Sequence, residues 1–64
     1  MTIGDRIKAK RIECDLTQYD LAAKAGITQT ALWSFETDNK VPSLLTANLL
    51  AKALGVTLDW LVNG

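Results

Sequence analysis

Gln29, Thr30, Trp33, Ser34 and Thr37 fall on one side of a stretch that reads as helix at 100° per residue, and Ala31, Leu32 and Phe35 gather on the other. The first set is short, mostly uncharged and rich in hydrogen-bonding groups. Such groups can read base edges in a DNA major groove. A glutamine amide near a helix N-terminus can pair with N6 and N7 of adenine, and a threonine methyl can meet the methyl of thymine. Gln29 and Thr30 are the candidates for those two contacts, with Ser34 and Trp33 beside them. Trp33 has two readings, packing against a sugar or a thymine methyl, or simply covering the helix surface. A polar solvent-facing surface has a similar composition, so the residues around this face must decide its meaning.

Those residues satisfy the demands of a helix-turn-helix over residues 18–37. That motif needs a small residue where the second helix crosses the first, a residue tolerant of positive φ in the turn, and apolar residues that lock the crossing angle. Ala22 is the small residue and Gly26, four later, is the turn glycine. Leu21, Ile27, Leu32 and Phe35 are the locks.

The rest of the chain offers little other chemistry. It has no histidine and one cysteine, Cys14, so a Cys/His zinc site and a histidine-assisted nucleophile are both excluded. Its four glycines are isolated, which leaves no phosphate-binding loop. We expect no enzymatic activity, no cofactor, no metal and no small-molecule ligand. The apolar runs are too short for a membrane span and the N-terminus lacks a signal-peptide pattern. A cytoplasmic protein of the bacterial or phage-infected cell is the expectation.

Positioning these residues requires an all-α fold. Sixty-four residues suffice for one domain with one core, taken as 1–64, and no stretch alternates like a strand. Thr2 and Asp5 resemble a capping box opening a first helix that runs to about Glu13, with Ile3, Ile7 and Ile12 facing inward. Thr17 and Asp20 repeat the signal for a second helix from Gln18, which Gly26 closes. Thr28 caps a third helix to about Thr37, and the polar, proline-terminated segment 38–42 reads as a loop. Ser43 caps a fourth helix from Leu44 to Leu54, stopped by Gly55, and Thr57 caps a short fifth.

Charge is evenly balanced, with seven basic and seven acidic residues, whereas a nucleic-acid binder is expected to be basic. Distribution offsets this in part, because Arg6, Lys8, Lys10 and Arg11 crowd the first eleven residues against one acid, Asp5. Lys10 and Lys40 are expected to flank the third helix and contact phosphates. Gln18, at the start of the second helix, can do the same beside free backbone N–H groups. Thr28 and Asn39 complete the phosphate-contacting set, Asn39 also being suited to a left-handed backbone. Such contacts orient a protein on DNA without reading sequence.

The segments Arg6–Arg11, Leu16-Thr17-Gln18, Leu21–Gly26, Leu50–Val56 and Asp59–Gly64 together resemble the lambdoid phage repressor and Cro family of DNA-binding domains, over essentially the whole chain. The resemblance implies a compact five-helix fold, with the helix-turn-helix made by helices two and three. It implies transcriptional repression through a pseudo-palindromic double-stranded operator, bound as a weak homodimer. It further implies that Gln29, Thr30 and Ser34 touch bases, that Gln18 and Lys10 hold phosphates, and that Arg11 and Glu36 form a buried salt bridge between the first and third helices.

Two features depart from the family pattern. The loop after the third helix lacks a glycine and carries Asp38, which would oppose phosphates. On the fourth helix, Ala47, Leu50, Ala51 and Leu54 share the core face, while Leu45 and Leu49 are expected on the opposite side. Those two leucines read either as tolerated surface residues or, with Leu44, as a small association patch. The second reading belongs to an alternative function: a repressor-fold interaction module, antitoxin-like or redesigned, with weak or lost DNA binding.

Overall fold

The computed structural model describes residues 2–64, and Met1, the first residue of the expected domain, lies outside them. Five helices follow one another: α1 (Ile3–Glu13), α2 (Gln18–Ala25), α3 (Gln29–Thr37), α4 (Leu44–Leu54) and α5 (Leu58–Asn63), and no strand occurs among the described residues. Each begins at a hydroxyl. Oxygens of Thr2, Thr17, Thr28, Ser43 and Thr57 accept from the backbone N–H three residues on, which satisfies one of the donors a helix start leaves free. Thr2 with Asp5 and Thr17 with Asp20 form full capping boxes. Gly26 and Gly55 end α2 and α4 at φ 75° and 73°, in the left-handed region where a side chain would be strained.

The core is aliphatic. Ile7, Leu21, Leu32, Leu50 and Leu61, at least one from each helix, are fully buried, and Ala22, Ala25, Ala47 and Ala51 let the helices approach closely. α2 packs on α3 and α4, and α1 lies against α3 and α5. Gly4 sits where α1 meets the end of α3, and a Cβ there would overlap the carbonyl oxygen of Phe35.

Two expectations about facing are corrected. Ile12 is 58% exposed, because α1 turns that side of its last turn to solvent. Leu49 packs half-buried against the core, so it does not share the exposed side with Leu45; α4 is covered over a wider arc than its alanines suggested. No helix among the described residues is long and apolar enough to cross a membrane.

Candidate nucleic-acid interface

The turn between α2 and α3 is closed by backbone bonds. The N–H of Ile27 donates to the Ala22 carbonyl at 2.9 Å, and the N–H of Gly26 donates to that of Ala23 at 3.3 Å. Ile27 then drops its side chain onto the core, and Thr28 restarts the helix through its hydroxyl, 3.1 Å from the N–H of Ala31. This fixes the direction of α3. Its inner side buries Leu32 and Glu36, with Phe35 packed against the core, and its outer side exposes Gln29, Thr30, Trp33 and Thr37. Ser34 is half-buried at the edge, its carbonyl accepting from the N–H groups of Asp38 and Lys40.

Gln18, Gln29, Thr30 and Trp33 line one shallow concavity. The first residue of α2 thus joins the outer face of α3, and residues assigned separately to phosphates and to bases share a single surface. Sequence spacing offered no sign of this, since it depends on how α2 packs across α3.

Gln18 has a second neighbour. Its Nε2 donates to Oε1 of Glu36 at 3.2 Å, and the same carboxylate accepts from Nη2 of Arg11 at 3.0 Å and from Nε of Arg11 at 2.9 Å. Arg11 completes its set by donating Nη1 to the Leu16 carbonyl at 2.9 Å. The Glu36 side chain is wholly buried and that of Arg11 nearly so. One buried carboxylate therefore ties α1, the α1–α2 connection, the start of α2 and α3 together. Half of the hydrogen-donating capacity of the Gln18 amide stays available, along with its carbonyl oxygen.

The structure revises the charge distribution. Arg6 donates to the carbonyls of Val62 and Leu61 at the end of α5 (3.0 and 3.5 Å), and Arg11 is buried on Glu36. Lys10 has partners other than α3: its ammonium lies 3.0 Å from Glu13 and 6.0 Å from the Trp60 ring centroid. Three of the four clustered N-terminal cations are thus engaged within the fold. Lys40 is exposed in the loop directly after α3, and Asn39 before it takes the left-handed backbone at φ 55°. Asp38, the exposed C-cap of α3, adds negative charge where the helix dipole is already negative.

Comparison with known proteins follows the same lines. A family model described as Helix-turn-helix matches residues 7–61. The immunity repressor protein of Bacillus phage phi105 is 45% identical over 62 residues, which is 97% of this chain and 43% of that protein, so the chain spans under half of its relative's length. Among solved structures, the P22 c2 repressor in complex with a synthetic operator superposes with a TM-score of 0.92 at 28% identity, covering 100% of this chain and 97% of that one. SinR, described as the master regulator for biofilm formation and solved with DNA, superposes with a TM-score of 0.89 at 33% identity, covering 94% and 97%.

Proposed function

This chain belongs to the helix-turn-helix family, and from that premise we propose that it is the DNA-binding part of a phage- or prophage-type transcriptional repressor, placing α3 in the major groove of a two-fold operator. The observation that carries this reading is the outer side of α3: four side chains from α2 and α3 form one exposed, largely uncharged surface, held rigidly from behind by Leu32 and the Glu36 cluster. The similarity to the P22 c2 repressor and to SinR, each solved with DNA, supports it. Gln29, Thr30, Trp33 and Ser34 face the bases. Gln18, Thr28, Asn39 and Lys40 hold phosphates, and Lys10, whose ammonium spends one of its three donors on Glu13, joins them.

A weak homodimer goes with this reading. Half-sites one DNA turn apart put centres ~34–36 Å from each other, further than the 25 Å longest extent of the Cα framework. Any contact between two copies on such a site is therefore confined to side chains at their facing edges, which makes a homodimer of this chain weak. An amide NMR titration with a mixed-sequence duplex tests the proposal. Shifts concentrated at Gln18, Gln29, Thr30, Trp33, Ser34 and Lys40, reversed by salt, are expected. A spectrum that ignores DNA at low salt would remove the function and leave the fold.

One observation favours a second reading. Leu44, Leu45, Asn48 and Leu58 line an exposed groove with no charged side chain, Leu44 and Leu45 being 75% and 70% exposed. Concentration-dependent self-association without any response to DNA would favour an interaction module.

A further inference from the structure

Trp33 is the one large hydrophobic side chain of α3 that is exposed among the described residues; Leu32 is buried and Phe35 packs on the core. At 48% exposure it lies outside the core cluster, so core packing does not require an indole there. A long side chain on a helix leans over the turn before its own Cα, which brings the indole back toward Gln29 and Thr30. All three line the same concavity with Gln18. The surface therefore has one apolar wall set among amide and hydroxyl groups.

The major groove offers few partners for such a wall. Its floor presents hydrogen-bond donors and acceptors from every base pair, and its apolar feature is the C5 methyl of thymine. From this, and resting on the DNA-binding reading above, we infer that Trp33 is a specificity-determining residue that selects thymine at one position of each half-site by covering its 5-methyl group. Gln29, one helical turn before Trp33, holds the neighbouring base pair through its amide. Together they make a two-part reader, polar at one step and apolar at the next. Burying one methyl group stabilises a complex by enough to change affinity about fourfold. Preference at this position thus comes from what thymine has and uracil lacks.

The test uses a duplex enriched from a random library by the 64-residue chain, with each thymine replaced in turn by 2′-deoxyuridine. Fluorescence anisotropy then compares affinities for the parent and for Trp33→Ala and Trp33→Gln, using whichever variants keep the parent's far-UV circular dichroism. The expected result is a loss of about fourfold at one thymine per half-site in the parent, abolished in the Trp33 variants. A parent that tolerates uracil at every position overturns the inference. So does an equal uracil penalty in parent and variants, which would assign the methyl to Thr30 or another neighbour. A uniform loss on all sequences in the variants, with uracil tolerated, would make Trp33 a sugar contact and overturn it too. If the parent enriches no duplex, the inference falls together with the DNA-binding reading beneath it.

Discussion

The side-chain amide of Gln18 donates to the buried carboxylate of Glu36 across 3.2 Å, so a residue of the candidate DNA surface is anchored from behind by the fold's internal ion pair. The bond joins residues eighteen apart in sequence, and it makes the orientation of the Gln18 amide a property of three helices.

Gln18→Glu would set a second carboxylate beside Glu36 and remove the donor. A hydrogen bond to a charged group contributes about 1.5–3 kcal/mol, and the added repulsion brings the expected loss to the upper end of that range. Urea denaturation measures it, with an unchanged m-value marking a change of stability alone.

Arg11→Ala would leave Glu36 buried with only Gln18 as partner. Removing one member of a buried pair costs roughly 3–5 kcal/mol, enough to unfold most molecules of so small a domain. The double variant Arg11→Met with Glu36→Leu should recover much of that loss, because no charge is then stranded. Thermal melts of Arg11→Ala and of the double variant decide the matter.

Gly4→Ala should destabilise by about 1–3 kcal/mol, the usual range for overpacking. The added methyl meets backbone, the Phe35 carbonyl, which cannot rotate away. Loss of helical circular dichroism at a lower temperature is expected. An alanine variant as stable as the parent would mean that α1 and α3 can separate freely.

Lys40→Ala should weaken binding to all duplexes alike and flatten the dependence of log affinity on log salt by about one unit. Arg6→Ala should leave that slope unchanged, since its guanidinium is engaged on the end of α5. Binding isotherms over a salt series distinguish the two.

Asp5 has its carboxyl held below the usual aspartate value, chiefly by the backbone N–H of Thr2, with desolvation opposing the shift and the Thr2 hydroxyl adding to the lowering. A depressed folded-state pKa contributes stability above the unfolded value, ~3.9, which is lost as pH falls through the folded one. Carboxyl-detected NMR should therefore find Asp5 titrating below a free aspartate. Thr2→Ala, which removes the capping hydroxyl, should raise that midpoint part of the way.

Helix boundaries were legible because their causes are local. Every cap, from Thr2 to Thr57, bonds three residues ahead, and Gly26 and Gly55 act through their own φ. The outward face of α3 was legible for the same reason, since 3.6-residue periodicity separates Gln29, Thr30 and Trp33 from Leu32. A count of charges in the first eleven residues suggested a basic patch. Only the tertiary structure showed Arg6 on the α5 carbonyls, fifty-six residues from Val62, and Arg11 on Glu36, twenty-five away.

Ile12, Leu49 and Gly4 teach the same lesson in packing. Whether Ile12 faces solvent depends on where α1 stops touching its neighbours, and whether Leu49 is covered depends on how widely other helices wrap α4. Gly4 is needed because the end of α3 passes against α1. By itself the sequence determined where the helices begin and end and which side of α3 faces outward, because bonds and periodicity within a few residues set both. Only the folded chain decided which cations are free, how Gln18 is held and where backbones touch, because those depend on distances between residues that chain order does not encode.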